Sequence, residues 1–206
     1  MSNTKEYWNS LLTEKSWEVL QGLKREYRFI LIGGWAAYLL VKQQKSKDVD
    51  VVVEIKELEK LKEEGLTKND RLKKYELKRE EIGVDIYVEH YSQLTIPPEE
   101  LKKYCIETQG FRVASPEALL VLKQGAYADR QDSVKGEKDK LDIISLLLFA
   151  EIDFKKYRAI LEKYKLEAFL DALRRLLAGF RDYNALGIAS NEFKRKKEAL
   201  LLKMRA

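Results

Sequence analysis

Two aspartates separated by a single residue, in the segment KSKDVDVVVE, are the residues of this chain best suited to chemistry. Side chains of an extended strand alternate, so Asp48 and Asp50 fall on one face and Val49, Val51 and Val53 on the other. Aspartate is depleted in strands, and like charges at i and i+2 repel, so the pair calls for a compensating cation. A hard ion such as Mg²⁺, bound by one or two carboxylates plus substrate phosphates, meets that demand. The alternative is an exposed strand start with solvated aspartates. A second alternating segment, EEIGVDIYVEHY, sets Ile82, Val84, Ile86 and Val88 against Gly83, Asp85 and Tyr87. If that strand lies beside the first, three aspartates can hold the two metal ions of an in-line phosphoryl displacement. Without that adjacency, Asp85 is a surface residue.

Ahead of both lies LIGGWAAYLL, where an apolar strand runs into Gly33 and Gly34 and then into an amphipathic helix. A strand, a glycine turn and a helix N-terminus suit a phosphate, because glycine lets backbone N–H groups approach closely and the helix dipole favours an anion. A tight turn that needs positive φ explains the two glycines equally well.

These residues must be held by a sheet. Short β-branched runs alternate with helical patterns up to about residue 113. The pattern predicts helices over 5–24, 35–43 and 56–64, and strands over 28–32, 48–54, 72–78 and 82–89. From residue 114 the strand signal ends. Ser115 followed by Pro116 reads as an N-cap with proline at the first helical position. Helices are expected over 116–128, 138–150, 154–163, 166–181 and 191–205, with Asp153 and Ser190 as caps. The expected fold class is α+β: a mixed sheet with flanking helices in residues 1–113, then a helical bundle in residues 114–206.

A strand, Gly33-Gly34, thirteen intervening residues, Asp48-Val-Asp50 and a later Asp85 together resemble the signature of the DNA polymerase β-like nucleotidyltransferase superfamily. The resemblance covers about residues 28–90. It implies a Mg²⁺-dependent enzyme that moves a nucleoside monophosphate from a nucleoside triphosphate to an acceptor hydroxyl. Gly33 and Gly34 would hold the triphosphate, and Asp48, Asp50 and Asp85 would be both metal ligands and catalytic residues, with two ions during turnover. The acceptor would be tRNA or another RNA end, a protein side chain or a small molecule. The other functional class to weigh is a non-catalytic nucleotide-binding or antitoxin-like protein of the same fold.

The helical half is similar to the branch containing the AbiEii-type toxins, through Ser115-Pro116-Glu117, Lys123, Arg130, Lys138-Asp139 and Asp142. That likeness implies that Lys123 reaches the triphosphate, with Asp142 orienting it and Arg130 nearby, and that an antitoxin-like partner or a second copy of the chain is bound. The segment QDSVKGE between Arg130 and Lys138 is long for the branch. Lys123 and Asp142 lie among apolar neighbours, so they can equally pair with each other and brace two helices.

Other features exclude more than they assign. One His, His90, and one Cys, Cys105, supply neither a zinc site nor a histidine-based triad. Arg181 is followed by no histidine, so the C-terminal helices are not the all-helical nuclease that partners some nucleotidyltransferases. Trp8, Trp17 and Trp35 fall on apolar helix faces and are expected in the core, the alternative for Trp35, directly after the glycine turn, being a place at the border of a bound nucleotide. The basic runs FKRKK and RLKKYELKR read as solvated surface, or else as contacts to RNA phosphates or an acidic partner. The 39 basic and 34 acidic residues give a net charge of +5, which would help attract a polyanion without requiring one. Abundant Lys and Glu suggest a thermophile's ion-paired surface. The longest apolar run is too short to cross a bilayer, and MSNTKEYWNS lacks a secretory signal's n- and h-regions, so a cytoplasmic protein with no membrane partner is expected.

Overall fold

Alternating valine-rich segments pair into a single mixed sheet. The computed structural model describes residues 2–205, with side chains described from residue 10 onward; Trp8 lies outside those side chains. The chain divides into two units, Met1–Ser115 and Pro116–Ala206. The first contains α1 (Ser2–Glu26), β1 (Ile30–Ile32), α2 (Gly33–Val41), β2 (Val49–Val53), α3 (Ile55–Leu61) and β3 (Thr67–Asn69). It continues with β4 (Lys74–Arg79), β5 (Ile82–Val88), the single turn α4 (Pro98–Leu101), β6 (Cys105–Thr108) and β7 (Phe111–Ala114). Strand order across the seven-stranded sheet is β3-β4-β5-β2-β1-β7-β6. The β2–β5 and β1–β7 pairs are parallel and the remaining pairs antiparallel. The fold class is α+β, as expected.

The period of two decides what is buried. Val49, Val51 and Val53 of β2, and Ile82, Val84, Ile86 and Val88 of β5, are each 3% exposed or less. Burying a side chain of this size contributes about 1.5–3 kcal/mol, so this face sets the register. On α1, Ser16, Val19, Leu20 and Leu23 follow the i, i+3, i+4, i+7 spacing and all are buried. Trp35 of α2 is 1% exposed. Its ring lies 5.1 Å from that of Trp17, and its Nε1–H donates to Ser16 Oγ at 2.8 Å. Both tryptophans are packing residues. At the far end of β4, Arg79 ties α1 to the sheet by donating to Glu64 at 2.8 Å and to Glu26 at 2.5 Å. That guanidinium, with the Tyr27 hydroxyl, holds the Glu64 carboxyl below the usual range although burial opposes it.

Three strands fall where none was expected. β3 is the outer arm of a hairpin with β4, and β6 pairs with β7 through a two-residue turn at Gln109 and Gly110, with Thr108 opposite Phe111. Both turn residues have positive φ, 50° and 72°, which is the type I′ geometry that suits the twist of a hairpin. Glutamine in the first turn position is a weaker signal than asparagine or aspartate there. The helix expected from Trp35 begins at Gly33, and the strand expected from Asp48 begins at Val49.

The second unit is helical: α5 (Pro116–Arg130), α6 (Val134–Phe149), α7 (Phe154–Lys163), α8 (Ala168–Gly179) and α9 (Ser190–Lys203). Asp153 caps α7 by accepting from the backbone N–H groups of Lys155 and Lys156, which satisfies donors the helix leaves open. Ser190 is not a cap: α9 starts on it, and Ala189 takes the N-cap position. The α6 helix starts four residues before the expected Lys138, because Ser133 caps it through the Gly136 N–H. Among the described residues no helix is long and apolar enough to cross a membrane.

Candidate functional site

The parallel pairing of β2 with β5 puts Asp50 directly opposite Asp85, on strands about 4.8 Å apart. Both side chains lie on the face that alternates with the buried valines, and both are half-buried. The adjacency that would make Asp85 more than a surface residue is therefore present. Asp48 precedes β2 and is exposed. Its Oδ1 stands 3.7 Å from where a Cβ on Gly83 would sit, two residues before Asp85, so it joins the same face.

Gly33 completes this edge of the sheet. Ile32 pairs with Asp50 across β1 and β2, so the next residue, Gly33, turns over the aspartate. Its φ is +67°, and a Cβ there would come within 2.0 Å of Asp50 Oδ2. A side chain is excluded twice over, by conformation and by contact. Gly34 is buried in the first turn of α2.

The opposite flank is made by a residue of a basic run expected at the solvated surface or in contact with RNA phosphates or an acidic partner. Lys74, in RLKKYELKR, is only 8% exposed. Its Nζ lies 2.6 Å from Asp85 Oδ2 and 3.1 Å from Glu76 Oε1, and Glu76 is itself the register partner of Asp85. Burial alone would lower the Lys74 pKa, but the bonds and charges of Asp85 and Glu76 outweigh it and hold the ammonium above the ordinary lysine value. The signal available in the sequence was alternation: in KYELKR, Lys74 and Glu76 share one face while Leu77 falls on the other.

The two central aspartates thus have different neighbours, Asp50 lying against Gly33 on the β1 side and Asp85 pairing with Lys74 on the β4 side. Among the described residues, no three Asp, Glu, His or Cys side chains are gathered tightly enough to enclose a metal ion. In residue type and backbone position Asp48, Asp50 and Asp85 fit a hard divalent cation.

Within the helical unit, the expected site residues contact one another. Lys123 Nζ lies 2.7 Å from Asp142 Oδ2 and 3.0 Å from Asp139 Oδ1, and Arg130 reaches Asp139 Oδ2 at 2.7 Å. Lys123, Asp139 and Asp142 are 7%, 2% and 3% exposed. The pairing of Lys123 with Asp142 is the bracing arrangement of α5 and α6, extended by Asp139 and Arg130. His90 is exposed, and its Nδ1 lies 3.6 Å from Glu99. In the other basic run, Lys197 Nζ donates to the carbonyls of Ala178 and Phe180, closing the end of α8. A concavity of about 400 Å³ lined by Arg28, Val53, Glu54, Lys102, Phe111 and Arg112 lies at the ends of β1 and β2 remote from the carboxylates.

No protein-family model and no curated protein matches the chain. Solved structures that it resembles include JHP933 from Helicobacter pylori, at 16% identity and a TM-score of 0.44, over 94% of this chain and 93% of that one. Another is an antigenic nucleotidyltransferase-like protein from Paracoccidioides brasiliensis, at 17% identity and a TM-score of 0.41, over 86% of this chain and 97% of that one. At such identities, what the site does has to be read from Gly33, Asp50, Asp85 and Lys74 themselves.

Proposed function

We propose that this chain is a Mg²⁺-dependent nucleotidyltransferase that moves a nucleoside monophosphate from a nucleoside triphosphate to an acceptor hydroxyl. The observation that carries the reading is the register of Asp50 with Asp85 on parallel strands, with the Asp50 carboxylate set against the positive-φ Gly33. Asp50 and Asp85, flanked by Asp48, would hold Mg²⁺ against the phosphates. Bound there, the ion would neutralise phosphate charge and favour in-line attack on the α-phosphorus. Backbone N–H groups at the start of α2 would receive the triphosphate, where the helix dipole favours an anion. Asp85, with Oδ2 held by Lys74, would take the acceptor's proton at Oδ1.

A second reading has one observation in its favour. The ion pair with Lys74 already supplies Asp85 with a cation, as suits a module that binds nucleotide without turning it over. Incubation with each α-labelled nucleoside triphosphate and Mg²⁺ over cell RNA and protein separates the two. Label transfer, lost in Asp50→Ala, is the expected result, and the labelled species identifies the acceptor as RNA, protein or small molecule. Saturable binding with no transfer to any fraction would replace the enzyme with the module. A toxin-like role, the finer proposal, predicts growth arrest on expression that Asp50→Ala relieves.

A further inference from the structure

We propose that Lys74 is a resident second cation of this site, its ammonium standing beside Asp85 where a second divalent ion would bind, so that nucleotide brings in one ion only. The inference rests on the metal-dependent reading above and departs from it in the number of ions.

Three observations carry it. The first is placement: Lys74 and Glu76 alternate onto one face of β4, and Glu76 is the register partner of Asp85, so the lysine is delivered to the carboxylate row by the pleat itself. The second is contact. Lys74 Nζ is within 2.6 Å of Asp85 and 3.1 Å of Glu76, and the residue is 8% exposed, a built-in position unlike that of a solvated surface lysine. The third is the difference between the two flanks. Asp50 lies against Gly33 at the start of α2, so a divalent ion on the Asp50 side meets the α2 N-terminus and the phosphates it receives, while an ion on the Asp85 side meets an ammonium group.

Charge accounting points the same way. A triphosphate beside three aspartates needs several positive charges, and a lysine fixed between two carboxylates supplies one without being recruited from solution. Its charge is compact and carries three donors, so it serves Asp85, Glu76 and an incoming oxygen together. A second divalent ion beside it would be repelled at contact range in a partly desolvated site. Lys74 is on this view a positioning residue: it holds Asp85 Oδ2 so that Oδ1 faces the acceptor.

The test counts ions on the full chain, with Mn²⁺ as the probe and a non-hydrolysable nucleoside triphosphate analogue at saturation, reading free Mn²⁺ by its paramagnetic resonance signal. One Mn²⁺ per chain is expected for the wild type and for Lys74→Arg, and two for Lys74→Ala. Circular dichroism confirms that each variant is folded. Two ions in the wild type would overturn the inference whatever the variants do, leaving the metal-dependent reading intact. One ion in folded Lys74→Ala would overturn it as well. No Mn²⁺ in the wild type with the analogue bound would sink the metal-dependent reading, and this inference with it.

Discussion

The molecule contains two clusters of lysine and aspartate that use the same residue types to opposite effect. In the helical unit, Lys123, Asp139, Asp142 and Arg130 close on one another, the lysine and both aspartates almost wholly buried. In the sheet unit, Lys74, Asp85 and Asp50 are spread along one face, the aspartates half-buried, one beside Gly33 and the other paired with Lys74. A buried charge network is balanced internally, and removing a member leaves the others uncompensated. The row on the sheet is partly open to solvent instead, and that opening is the place proposed above for a ligand.

The sharpest way to break this contrast is to remove one lysine from the brace. Lys123→Met should cost roughly 3–5 kcal/mol, because Asp139 and Asp142 are left buried with less compensation; urea unfolding measures it. A variant of nearly wild-type stability with nucleotidyl transfer reduced about 10²-fold would instead make Lys123 part of the reaction. Next in size is Asp50→Ala, which should lower transfer by about 10²–10³-fold while leaving unfolding in EDTA unchanged or slightly improved, since a repelling charge is gone. The same contrast predicts that nucleoside triphosphate raises the melting temperature only when a divalent ion is present. Equal stabilisation in EDTA would remove the ion from the site.

Smaller is the effect expected of Gly33→Ala. A non-glycine residue at φ +67° costs about 1–2 kcal/mol, and Asp50 must move to admit the methyl group. Calorimetry should show that loss together with weaker nucleotide binding. The mildest test is acidification. The Glu64 carboxyl is held low by Arg79, so its contribution is complete above the unfolded value of about 4.3 and is lost as pH falls through the folded value. Thermal stability should drop below about pH 4, and Glu64→Gln should flatten that drop.

How far the sequence carried can be seen residue by residue. Alternation in VDVVV and IGVDIYV was enough to place Asp50 and Asp85 on one face, because a strand with one buried face has a strong period. It could not say which strands would be neighbours; β3 and β6 escaped because short edge strands bury too little to leave a pattern, and β7, though interior and mostly buried, is four residues long, too few to show a period. Lys74 escaped for a different reason. In a lysine-rich chain a buried lysine looks like any other, and only the strand opposite it shows that it has a partner. Lys123 was open to both readings from its apolar neighbours, and the second aspartate of its cluster, Asp139, lies three residues from Asp142 on the same helix face.

The parallel register of β2 with β5 also bears on how the protein comes into being. β4 and β5 are joined by a tight local hairpin, and β3 pairs with β4 close by, so these three strands can assemble from contacts near in sequence. Asp50 meets Asp85 only when that meander docks against β2, a long-range event that must await loop closure. A slip of one residue in this docking would turn Val84 and Ile86 out to water and Asp85 into the core. Hydrophobic packing therefore proofreads the carboxylate row: Asp50 and Asp85 meet late in folding, and a one-residue slip that would misplace them also exposes the sheet's buried face.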